Sequence, residues 1–150
     1  MDLDRIFTRL NGAIQWILRS PLHALLDPGL MLVTVTGRRS GLRFTIPVGY
    51  QRDGKRIVVL VSKARRKNWW RNYHEPRAIE VTTGGRELRG TARVIAPGSQ
   101  EFFAAFETTL AKMPWLGRQF GIAYRRGTAL DAGQRAALAR EDAAVEILLE

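Results

Sequence analysis

The chain has 150 residues, 45% apolar and 25% charged, which fits one globular domain with a real core and excludes a disordered or fibrous class. It contains no cysteine, so disulfides, thiolate metal sites and cysteine nucleophiles are ruled out. Its 24 Lys+Arg against 14 Asp+Glu leave a net charge of +10, which favours an anionic partner: nucleic acid, a membrane surface or an anionic cofactor.

In chain order, Leu3, Ile6, Phe7, Leu10, Ile14, Ile17 and Leu18 recur at helical spacing behind Asp2 and Asp4. They predict an amphipathic N-terminal helix over residues 1–20, packed on the body of the domain. Peripheral contact with a membrane is the second reading, because Arg5, Arg9, Arg19 and Trp16 suit an interface. The opening has no basic leader or cleavage site, and no run is long enough to span a bilayer, so a cytoplasmic location is expected.

The body of the domain is expected over residues 30–150. Leu30 to Thr36 is a β-branched apolar run of strand length. Gly37-Arg38-Arg39-Ser40-Gly41 follows, with two turn-forming glycines, two guanidinium groups and a hydroxyl able to donate to a phosphate or carboxylate. A merely polar, solvated turn is the alternative. Phe44, Ile46 and Val48 alternate with Thr45 and Pro47 in a second strand running up to the Asp53-Gly54 turn. Arg56 to Ser62 is a third, buried strand.

Lys63 to Tyr73 breaks the β pattern with a basic run and two tryptophans, giving a short helix ended by Pro76. Adjacent indoles diverge by about 100° on a helix, so Trp69 and Trp70 are expected in different surroundings, one of them in the core. Ala78 to Thr82 and Glu87 to Ile95 form a hairpin through Gly84-Gly85. A helix follows Ser99 from Gln100 to Met113, and residues 114–128 are irregular. A short helix from Asp131 to Arg140 and a final strand from Ala144 to Leu149 complete the chain. Antiparallel strands with helices at the ends suggest a small barrel in the α+β class.

His23 and His74 lie at no ligand spacing, so a metal site is not expected. No nucleophile elbow, Walker loop or paired catalytic carboxylates are present, and Gly37 to Gly41 is no dinucleotide fingerprint. Chemistry, if present, falls to a bound cofactor. Tyr50, Tyr73 and Tyr124 are the candidate proton donors.

The run Thr36-Gly37-Arg38-Arg39-Ser40-Gly41, then Pro47, Tyr50-Gln51-Arg52-Asp53-Gly54, Ser62-Lys63 and Trp69-Trp70-Arg71-Asn72, resembles the deazaflavin-dependent nitroreductase family. The resemblance covers about Leu30 to Val94. It implies a split β-barrel related to FMN-binding pyridoxamine-phosphate-oxidase-like proteins, the deazaflavin cofactor F420, and hydride transfer to a small quinone, enone or nitro acceptor. Carried over by residue, it implies that Arg38, Arg39 and Ser40 hold the cofactor's phosphate and acidic tail. Thr45, Ile46, Pro47 and Val48 would line its ring and linker. Ser62 would sit near the ring, Lys63 near a phosphate, and Trp69 and Asn72 would close the pocket.

The chain departs from the family pattern in two places: Phe44 stands where arginine is usual, with Arg43 one place earlier, and Ala64-Arg65-Arg66 replaces a Gly-Gly. In a strand, Arg43 and Phe44 face opposite ways. An FMN flavoprotein of the same fold, and a non-enzymatic module binding nucleic acid or anionic membrane through Lys63 to Arg71, are the alternatives. The oligomeric state, a homodimer included, is open.

Overall fold

The alternation and turn chemistry of residues 30–61 yield four strands in the computed structural model, which describes residues 29–150. The helix expected over residues 1–20 lies outside the described residues. β1 (Leu30–Thr36) pairs antiparallel with β2 (Arg43–Gly49) along its whole length, from Leu30 opposite Gly49 to Thr36 opposite Arg43. The second strand does not run on to the Asp53-Gly54 turn. It leaves β1 at Gly49, and β3 (Gln51–Asp53) begins after a single residue, paired with β4 (Arg56–Val61).

β5 (Arg77–Thr83), β6 (Arg86–Val94) and β7 (Ala143–Leu149) complete a seven-stranded antiparallel sheet in the order β2-β1-β5-β6-β7-β4-β3. Its two edge strands, β2 and β3, are consecutive in the chain, with only Tyr50 between them. Gly49 and Gln51 therefore lie within about 7 Å of each other, and the sheet must roll until its edges meet. The result is a split β-barrel.

Strand periodicity sorts the apolar residues onto two faces. Met31, Val33 and Val35 of β1, Ile57, Val59 and Val61 of β4, and Val145 and Ile147 of β7 fill the barrel interior. Val58 and Ala144 point the other way, into a second core with Phe102 and Phe106. That is why β4 reads as an unbroken apolar run: both its faces are covered.

The second core is made by α1 (Gln100–Lys112) and α2 (Ala132–Glu141), together with Phe120, Ile122 and Leu130 from the connection between them. The Ser99 hydroxyl accepts from the Phe102 amide at 3.1 Å and starts α1, while Asp131 and Gln134 form a capping box on α2. Phe102 and Phe106 are fully buried, each contributing on the order of 1.5–3 kcal/mol.

One charge network ties α1 to the sheet. The buried Glu146 carboxylate accepts from Arg56 at 2.7 Å and from Arg93 at 3.0 Å, and Arg93 also bonds Glu101 at the start of α1. Burial pushes the Glu146 carboxyl upward. The two guanidinium groups outweigh that effect and hold it below its ordinary value of 4.5. The unfolded chain therefore binds the proton first as pH falls, so this contribution is complete above about 4.5 and is lost on acidification.

Two predictions follow from these contacts. Glu146→Gln should melt below the wild type at pH 7, and the gap should narrow as pH falls through 4; a gap constant with pH would contradict the linkage. β6 also passes so close to β7 that a Cβ on Gly90 would lie 2.5 Å from the Leu148 carbonyl oxygen. Gly90→Ala should thus destabilise by about 1–3 kcal/mol in denaturant unfolding, and an unchanged midpoint would show that the strands can separate freely.

Candidate functional site

The register gathers most of the sequence-derived candidates at one end of the barrel. At this end lie the Thr36–Arg43 pair flanking the basic turn, the Val61–Ala143 pair where β4 exits, and the Arg77–Ala92 pair where β5 enters. Between the exit of β4 and the start of β5, the short helix expected after Lys63 is two 3-10 turns, Ala64–Arg66 and Trp69–Tyr73. Ala64, Trp69 and Tyr73 belong to the interior core and plug this mouth of the barrel.

Trp69 is buried and meets Tyr73 edge-on at 6.4 Å, whereas the half-buried Trp70 donates its indole N–H to the Ala64 carbonyl at 2.9 Å. The two adjacent indoles do serve different surroundings. Trp69 is part of the plug rather than an exposed wall.

The basic turn is rigidly built. The Gly37 amide donates to the Leu42 carbonyl at 2.8 Å, and the Ser40 hydroxyl accepts from the Leu42 amide at 3.1 Å. Gly41 takes φ +70°, which the turn itself demands of a glycine, and a Cβ on Gly37 would lie 2.6 Å from that hydroxyl and push it off the Leu42 amide. The turn is fastened to the plug by Asn72. Its Oδ1 accepts from the Arg38 amide at 2.7 Å and its Nδ2 donates to the Trp69 carbonyl at 2.8 Å. Asn72 is buried, so it organises the mouth from below. Arg38, Arg39, Arg65 and Arg66 are exposed around it.

β2 divides its candidates between two faces. Thr45 and Pro47 share the outer face with Arg43, whose guanidinium bonds Glu80 at 2.7 Å; the Thr45 hydroxyl lies 3.0 Å from that of Thr34. Phe44, Ile46 and Val48 lie opposite Val35, Val33 and Met31 on the interior-side face. None of the three is buried, and Phe44 is 39% exposed. A partly exposed apolar strip thus runs along an edge strand from the basic turn, with Ile46 and Val48 packed against the interior core and Phe44 standing out at its end. Arg43 does not stand in for the family arginine at position 44, because it faces the other way and is paired with Glu80.

Ser62 and Lys63 sit where β4 exits. Ser62 is buried, and its hydroxyl oxygen lies 3.4 Å from Lys67 Nζ and 3.5 Å from Gln119 Nε2. Lys63 adopts φ 51°, ψ 49°, the one left-handed non-glycine residue among those described. Its amide donates to Asp142 Oδ1 at 3.2 Å. Asp142 is 6% exposed, and its Oδ2 is buried with no hydrogen-bond partner. Burial pushes its carboxyl up from 3.8 to about 7, only partly opposed by the Lys63 amide and the Lys67 charge.

Gln119 and Asp142 were not legible as site residues. They lie 57 and 79 positions from the β4 exit, in segments without a motif, and only the tertiary fold brings them there.

The candidate proton donors fare differently. Burial raises the Tyr73 hydroxyl to about 12, offset in part by Arg77, and at 1% exposure the residue is enclosed in the interior core. The Tyr50 hydroxyl lies 3.1 Å from Thr83 at the opposite end of the barrel. Tyr124 is half-buried against the second core.

A groove of about 420 Å³ lined by Arg52, Lys55, Arg89, Glu87, Leu88 and Leu149 also lies at that far end, beside the β3–β4 and β5–β6 turns. Its charges are of both signs, and it holds none of the candidate residues. The basic mouth, with cations, a rigid turn and an apolar strip side by side, is the better-built site. Among the described residues no group of histidines and acids could hold a metal, and no helix is long and apolar enough to cross a membrane.

Comparison with known proteins agrees with this architecture. No curated protein matches the sequence. Among solved structures, one titled as an F420-H2 dependent reductase, FDR-A, is similar at 19% identity and TM-score 0.56, over 81% of this chain and 96% of that one. A protein described as a domain-swapped dimer gives 18% identity and TM-score 0.54 over 81% of each chain. The heme storage protein HutZ from Vibrio cholerae gives 13% identity and TM-score 0.53 over 94% of this chain and 90% of that one. At such identities these likenesses concern the fold. The model of the F420H2-dependent quinone reductase family matches residues 9–119, well over half of the sequence. The chain belongs to that family of oxidoreductases.

Proposed function

We propose that this protein binds reduced F420 at the basic mouth and uses it to reduce a small quinone-like acceptor. The observation that carries the reading is the juxtaposition at the mouth: exposed Arg38 and Arg39 on a rigid turn, continuous with the accessible strip of Phe44, Ile46 and Val48. A ligand with a flat ring and an anionic tail needs both halves of that surface. The donor chemistry fits F420 in this respect, and a single FMN phosphate would leave much of the positive charge unmatched. Membership of the quinone reductase family favours a quinone over a nitro compound or an enone as acceptor.

When bound, F420 would supply the hydride. The residues of the chain bind and orient. Arg38 and Arg39 would hold the acidic tail through charge-assisted hydrogen bonds, each contributing about 1.5–3 kcal/mol. Phe44, Ile46 and Val48 would cover one face of the ring and keep water from it. Phe44 continues this strip towards the turn, so an apolar contact here replaces the family's usual arginine. Lys63 would meet a phosphate, with Ser62 beside it. The Trp69–Tyr73 plug fills the interior and leaves the ring to bind on the barrel's rim.

Asn72 Oδ1 accepts from the Arg38 amide at 2.7 Å and, at a longer 3.4 Å, from its guanidinium, so the shorter bond to the turn remains when the guanidinium groups are lost. Changing Arg38 and Arg39 together to Gln should therefore weaken F420 binding by about 3 kcal/mol, a hundredfold in Kd. The melting temperature without ligand should shift by no more than an exposed substitution causes, about 0.5 kcal/mol. Fluorescence titration with F420 measures the first effect and thermal unfolding the second. Unchanged affinity would remove the turn from the site; affinity lost together with stability would assign the arginines to the fold.

A further inference from the structure

We propose that Asp142 is a positioning residue for the mouth: its carboxylate pins the left-handed turn at Lys63, through which the Lys63 ammonium group meets the anionic part of the cofactor. This rests on the functional reading above and adds to it a residue with no place in the sequence motif.

Two locally unfavourable features meet at this point. A lysine in the left-handed region is less stable than a glycine or asparagine there by roughly 1–2 kcal/mol. A buried carboxylate with one oxygen unpartnered is likewise unfavourable. Each could be relieved by a simple substitution, Gly at 63 or an apolar residue at 142. The chain instead keeps both, joined by the 3.2 Å bond from the Lys63 amide to Asp142 Oδ1. Strain retained beside a binding surface is what a site-forming role predicts.

The surroundings make Asp142 a firm anchor. Its own amide donates to the Leu138 carbonyl at 3.0 Å at the end of α2, and its neighbour Ala143 is paired with Val61 in the sheet. The carboxylate is therefore fixed from both sides while it holds Lys63. On the other side of Lys63, the Lys63 carbonyl accepts from the Arg66 amide at 2.9 Å, closing the turn that carries Arg65 and Arg66. Both oxygens of Asp142 are too enclosed for a ligand to reach the unpartnered one, so its effect passes through Lys63. The charged groups acting on it are Glu141, which raises its carboxyl, and Lys67, which lowers it.

The test is a double-mutant cycle read by fluorescence titration with F420. Asp142→Leu, which keeps the branching of aspartate in a bulkier side chain without an acceptor, should weaken binding about tenfold, and Lys63→Met by a similar factor. The double variant should bind no more weakly than Lys63→Met alone, because without the ammonium group there is nothing left to position. Asp142→Asn, which keeps an acceptor for the Lys63 amide, should bind within about twofold of the wild type. Wild-type affinity in Asp142→Leu, or losses that multiply in the double variant, would overturn the proposal. Should Asp142→Leu not fold, equal tenfold losses in Asp142→Asn and Lys63→Met would overturn it too, since the acceptor survives in the former. A wild-type protein that binds no F420 would remove the functional reading itself, and this inference with it.

Discussion

The single-residue link at Tyr50 constrains everything else in this molecule. It joins the two edges of a seven-stranded sheet, so the sheet has no choice but to roll. Rolling buries one face of each strand in a barrel and leaves the opposite face of β4 and β7 to be covered by α1 and α2. It also brings the turn after β1, the exit of β4 and the entry of β5 to one rim, although they are far apart in the chain. The function proposed here depends on that convergence, since neither the arginine turn nor the Ser62-Lys63 pair makes a site alone.

At the rim the chain separates two jobs that a binding site must reconcile. Buried groups set the geometry: Asn72 ties the turn to the plug, and Asp142 holds the turn at Lys63. More accessible groups would meet the ligand under the proposed function: exposed Arg38 and Arg39 would offer charge, and exposed Phe44 with the half-buried Ile46 and Val48 an apolar surface. Such a division lets the exposed cations change without unfolding the mouth. It also keeps them hydrated and close together until an anion neutralises them, which favours capture of a multiply charged tail over a neutral molecule.

Much of this was legible in the sequence. The β-branched runs, the paired glycines and the Asp53-Gly54 turn located the strands, and the Ser99 and Asp131 caps located the helices. The basic turn stood out because two guanidinium groups sat between two glycines. The break at Tyr50 was hidden, because alternation of side chains continues through it while the hydrogen-bonding partner changes from β1 to β4. One of the two adjacent tryptophans was expected in the core, but spacing did not say which; burial shows that it is Trp69. Asp142 could not be found at all: an acid before an apolar run resembles any helix end until the fold sets it against Lys63.

Under the proposed function the cofactor occupies the basic mouth and not the far groove at Arg52, Lys55 and Arg89. Backbone amide chemical shifts recorded during an F420 titration test this most directly. The largest changes should fall on residues 37–48 and 62–72, with residues 52–55 and 86–89 essentially unmoved. Changes concentrated at the far groove, with a silent Gly37–Gly41 turn, would contradict it.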